Sequence, residues 1–70
     1  MKFAKKIKML CIECGNISEA ELARRLGVTP QTFNKKMHTD NFSVRDLEEI
    51  AAALNVKFEA NFILPDGRKM

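Results

Sequence analysis

The 70-residue chain is poor in the residues from which catalytic and cofactor sites are usually built. It has one histidine, His38, and two cysteines, Cys11 and Cys14. A small secreted domain held by disulfides carries four or more cysteines, so an oxidised framework is excluded. A zinc site needs four ligands, and beyond Cys11 and Cys14 only His38 is on offer. No stretch approaches the roughly 20 apolar residues of a membrane-spanning helix. The opening MKFAKKIKMLCIECG has the lysines of a secretion signal, but Lys8 and Glu13 interrupt its apolar part and no small-residue cleavage site follows. A Ser/His/Asp set, a catalytic carboxylate pair and a glycine-rich phosphate loop are all absent. The expectation is a non-enzymatic cytoplasmic domain, with no cofactor, metal, membrane or small-molecule ligand. No linker, internal repeat or low-complexity segment divides it, and its length suits one small domain.

What is present is an ordinary globular composition, 46% hydrophobic and 30% charged. The net charge of +3 is modest, but it is unevenly spread. Lys2, Lys5, Lys6 and Lys8 make residues 1–8 strongly basic. Glu13, Glu19 and Glu21 make the next segment acidic. Arg24, Arg25, Lys35, Lys36 and Arg45 stand against Asp40 alone in residues 22–45. Asp46, Glu48, Glu49 and Glu59 then outweigh Lys57. A basic middle between acidic segments suggests a surface facing a polyanion.

Four helices can be drawn. Phe3, Ile7, Leu10, Cys11 and Cys14 fall on one face of the first, which ends at Gly15-Asn16. That face assigns both cysteines to the core. The second starts at Ser18, where SEAE predicts a reciprocal capping box between Ser18 and Glu21. Leu22, Ala23 and Leu26 form its inner side and Gly27 stops it. Thr29 caps the third, Pro30 occupies its first position, and Phe33 and Met37 face inward. HTDN closes that helix. The fourth starts at Ser43, with Asp46 as a weaker form of the same box, and carries an apolar stripe of Val44, Leu47, Ile50, Ala51 and Leu54 up to Asn55.

After that the period changes. In KFEANFIL, Phe58, Ala60, Phe62 and Leu64 alternate with Lys57, Glu59, Asn61 and Ile63, which predicts a strand with one buried face. PDG is a turn, after which RKM can fold back. One strand is not stable alone. It needs residues 68–70 or the same strand of a second chain, and its open edge predicts an antiparallel homodimer through Phe58, Ala60, Phe62 and Leu64.

Only Gly27, Val28 and Thr29 separate the second and third helices. Gly27 supplies the positive φ of a sharp exit. Val28 can plug the corner, Ala23 leaves room for a close crossing, and Phe33 can pack back on Leu22 and Leu26. With this spacing, SEAELARRLGVTPQTFNKK, residues 18–36, resembles the phage repressor and Cro-type (XRE-like) helix-turn-helix family without gaps. DLEEIAAALNV, residues 46–56, is similar to the family's following helix.

The resemblance implies a mainly α, lambda-repressor-like bundle of four helices, here with a C-terminal β-strand. Residues 1–56 would be the DNA-binding part and 57–70 a dimerisation element of the same domain. It also implies that the helix after the turn enters the major groove of double-stranded DNA, with Gln31, Thr32, Asn34 and Lys35 at base edges. Gln and Asn suit adenine, Lys suits guanine, and the Thr methyl suits thymine. Thr29, Lys36, His38, Asn41, Ser43 and Arg45 surround that helix and suit phosphates. Three positions depart from the family pattern. Glu19 puts a carboxylate where the backbone is approached, Pro30 has no hydrogen-bonding side chain, and Lys36 replaces an apolar residue whose role falls to Met37. The implied function is a small sequence-specific regulator that represses by occlusion as a homodimer. The alternative is a protein-interaction module, such as an antitoxin or anti-repressor, to which Glu19 and Pro30 lean.

Overall fold

The computed structural model describes residues 2–70. Four helices follow in order: α1 (Ala4–Glu13), α2 (Glu19–Leu26), α3 (Pro30–Thr39) and α4 (Val44–Ala53). Their limits follow the local signals. Ser18, Thr29 and Ser43 are in extended conformation, and each hydroxyl accepts from the backbone N–H three residues on. Gly27 at φ 75° ends α2, with the Val28 N–H returning to the Ala23 carbonyl at 3.0 Å. Asn55, also at positive φ, ends α4 in the same way through Val56 and Ala51.

The two capping boxes come out in the reverse order of strength. Ser43 and Asp46 form the full reciprocal pair at 2.9 and 3.1 Å. At Ser18 only half is made, because the Glu21 carboxylate turns away to Arg24 and Arg25. Two guanidiniums one turn further along outbid a single backbone N–H.

One core joins all four helices: Ile7 and Cys11, Leu22 and Ala23, Phe33 and Met37, and Leu47, Ile50 and Leu54. Helix α2 packs on both α3 and α4, and Ala23, wholly buried, permits the close crossing. Val28 stays 38% exposed at the corner, so it only partly plugs it. Val44, assigned above to the apolar stripe of α4, is instead 43% exposed. It is the first residue of its helix, and Phe42 takes the buried place beside that end. Phe42 precedes the Ser43 cap and Leu47 is the fourth helical residue, the two positions of a hydrophobic staple.

The expected strand over 57–64 does not form. The only pairing among the described residues is an isolated antiparallel bridge between Ile63 and Lys69. Around it Phe62 exchanges backbone hydrogen bonds with Met70, the Leu64 N–H donates to Arg68, and the Gly67 N–H closes the turn on Leu64. Nor is there a buried face. Phe58 is half-buried against Phe3, with ring centroids 6.1 Å apart, whereas Ala60 is exposed and Phe62 is 82% exposed. Alternation puts apolar groups on one side of a segment, but it supplies neither a partner strand nor a surface to cover. Here the partner is three residues long, and Phe62 and Ile63 stay exposed. The strand-to-strand dimer inferred from 57–64 loses its basis, since Phe62 and Leu64 direct backbone groups to their own chain's tail. The hairpin projects from the helices. The radius of gyration is 13.4 Å with extents of 43 × 25 × 19 Å, against about 11 Å for a compact chain of this length.

Candidate nucleic-acid interface

Helix α3 is fixed from both sides. Phe33 and Met37 anchor its inner face, and Thr29 and Pro30 set its start. With those two residues buried, a period of 3.6 puts Lys35 opposite them, with Gln31 and His38 close beside it and Asn34 toward one flank, and all four are exposed. Three of them are base-contact candidates. The fourth, His38, was assigned to the phosphate set and lies on the same stripe, toward its C-terminal end. Thr32 is exposed on the outer side next to Lys35, and its hydroxyl is 2.8 Å from that of Thr29.

The remaining phosphate candidates are arranged unequally. Thr29, Asn41, Ser43 and Arg45 are exposed around the ends of α3 and the start of α4. Lys36 is half-buried and its ammonium lies 2.8 Å from Asp46. That contact, and then the Ser43 N–H, hold the Asp46 carboxyl below its ordinary value. Arg45 is loosely paired with Glu49 at 3.8 Å.

The fold therefore redistributes the charge of the basic middle segment. Arg24 and Arg25 both engage Glu21, Lys36 engages Asp46, and Arg45 leans on Glu49. The hydrogen bonds from Arg24 and then Arg25 lower the Glu21 pKa to about 2. Arg25 also reaches the Ala53 carbonyl at the end of α4. The cations left without an ion-pair partner among the described residues are Lys35 and Lys69, together with Lys2, Lys5, Lys6 and Lys8 of the N-terminal turns. Lys6 lies over the Phe3 ring.

A family model for the Cro/C1-type helix-turn-helix DNA-binding domain matches residues 6–60. The chain belongs to that family. The match takes in all of α2 to α4 and most of α1, and it runs through Phe58 into the segment after α4. No curated protein and no solved structure matches the chain. In a helix-turn-helix domain the helix after the turn is the one that meets DNA, and α3 has that position here.

One contact in this region has no counterpart in the periodic reading. Asp40 follows α3 at φ 52°, and its Oδ1 accepts hydrogen bonds from the Phe3 N–H at 2.7 Å and the Ala4 N–H at 2.8 Å. It caps α1, whose own N-cap, Phe3, offers no side-chain acceptor. The sequence signal for it is faint: an aspartate after α3 in a position that favours the left-handed conformation, and an α1 without a cap of its own. Of the cysteines, Cys14 is half-buried against the core. Cys11 is buried, and burial raises its thiol pKa, with Cys14 and Glu19 nearby adding to the effect. A thiol held protonated is a poor nucleophile and ligand.

Proposed function

We propose that this Cro/C1-type domain recognises a specific sequence in double-stranded DNA through the exposed stripe of α3. It would serve as a small cytoplasmic transcriptional regulator that represses by occupying its operator. The observation that carries the reading is that stripe: Gln31, Asn34, Lys35 and His38 follow one another along α3 at helical spacing, all exposed, with Lys35 opposite the buried Phe33 and Met37. Amide side chains pair bidentately with adenine, and a lysine donates to guanine. Thr29, Asn41, Ser43 and Arg45, exposed around the ends of α3 and the start of α4, would take the phosphates of a duplex seated on α3. Lys36 would reach a phosphate only by leaving Asp46.

A ten-residue helix covers one half-site, so the reading includes a two-fold homodimer that sets two copies of α3 about 34 Å apart. The exposed Phe62, Ile63 and Met70 of the hairpin favour contact with another protein surface. The same residues favour the second reading, a module that binds an unlike protein. Selection of binding sites from random duplex DNA separates the two. A palindromic site supports the regulator, and the absence of any enriched sequence supports the module. Gln31→Ala is expected to relax the preference at one base position by about 1–3 kcal/mol.

A further inference from the structure

The cations without an ion-pair partner among the described residues lie mainly in residues 2–8 rather than in the basic middle segment that first suggested a polyanion. Lys2 and Lys5 are exposed and have no ion-pair partner among the described residues. They flank the two residues, Phe3 and Ala4, whose N–H groups are bound by Asp40. Asp40 directly follows the last residue of α3. The junction therefore ties the backbone between Lys2 and Lys5 to Asp40, two residues past His38 at the C-terminal end of the stripe.

We propose that Lys2 and Lys5 form a second phosphate-binding element of the DNA interface, with Asp40 as the positioning residue. The inference rests on the reading of α3 as the DNA-facing helix. A duplex lying along α3 passes its phosphates over both ends of that helix. At the N-terminal end the polar groups are Thr29 and Thr32, while the C-terminal end has two lysine side chains long enough to reach outward. Lysine recognises phosphate as a point charge and needs no fixed fork. Such contacts add affinity and salt dependence and leave the sequence preference unchanged.

The test compares two double variants that lower the net charge equally. Lys2→Ala/Lys5→Ala removes the proposed contacts. Lys57→Ala/Lys69→Ala removes two lysines outside the interface. All four positions are exposed, and alanine favours helix at Lys5, so the variants are expected to fold. Binding of the full chain to its selected duplex is titrated across salt concentrations. The first variant should bind about tenfold more weakly, with a log–log salt slope shallower by about 1–2 and the same preferred sequence. The second should retain the wild-type slope. Asp40→Ala should also flatten the slope, and Asp40→Asn, which keeps an acceptor, should restore it. A purely structural Asp40 would alter stability without moving the slope. Equal slopes for the two double variants, with wild type binding its site, overturn the N-terminal element alone. Failure of the wild type to bind any duplex overturns both this proposal and the reading beneath it.

Discussion

Asp40 joins two parts of the chain that local rules treat separately. Its carboxylate takes two backbone N–H groups from residues 36 and 37 positions away. Hydrogen bonds to a charged acceptor contribute about 1.5–3 kcal/mol each at best, and partial exposure lowers that. Asp40→Ala should destabilise the domain by about 1–3 kcal/mol, with Asp40→Asn falling between it and wild type, in urea denaturation. At the same scale, Glu21 and Asp46 contribute to the acid limb of stability. Both pKa values are depressed in the folded chain, by Arg24 and Arg25 in one case and mainly by Lys36 in the other. Their contribution is complete above the unfolded values of 4.5 and 3.8 and declines as pH falls through the folded ones. Stability should be flat above about pH 5 and fall toward pH 2. Glu21→Gln should shallow that fall slightly, since the group is exposed to solvent and its pairs are screened. Thermal melts from pH 2 to 7 check both statements.

Among the secondary-structure elements, the helices were legible and the strand was not. Ser18, Thr29 and Ser43 marked three helix starts. Gly27 and Asn55 marked two ends, and the 3.6-residue period placed Ile7, Leu22, Phe33 and Leu47 inside. These are interactions within a few residues, so the sequence contains them directly. Phe42 lay outside any period, and finding it required the staple rule before Ser43. Asp40 on α1 is a tertiary contact with only a faint local signature. The strand reading failed because alternation at Phe58, Ala60, Phe62 and Leu64 describes only one side of a pairing. Two outcomes follow. Gly27→Ala should cost about 1 kcal/mol from the left-handed backbone alone, because a Cβ there meets no atom within 4 Å. Removing residues 61–70 should leave the helical body folded, with a melting temperature within a few degrees of the full chain, since Phe62, Ile63 and Met70 bury little. A large loss of helical circular dichroism on truncation would contradict the projecting hairpin.

For the whole molecule, the small net charge of +3 is less informative than its arrangement. Internal pairing engages every arginine, leaving Lys2, Lys5, Lys6 and Lys8, Lys35 on α3 and Lys69 as the unpaired cations among the described residues. The position of α3 in the helix-turn-helix family was legible from the corner at Ala23, Gly27 and Phe33. Which side chains on it face outward required only the helical period. What the sequence alone obscured was which cations are already occupied, since that depends on Glu21, Asp46 and Glu49 reaching them in the folded chain. The central claim is that the exposed stripe of α3 reads base sequence. Site selection from random duplex DNA, run in parallel on wild type, Gln31→Ala and Lys35→Ala, tests it most directly. The account predicts one enriched palindromic site for wild type, with each variant losing preference at its own base position. No enriched site, or the same site selected with equal stringency by all three proteins, would contradict it.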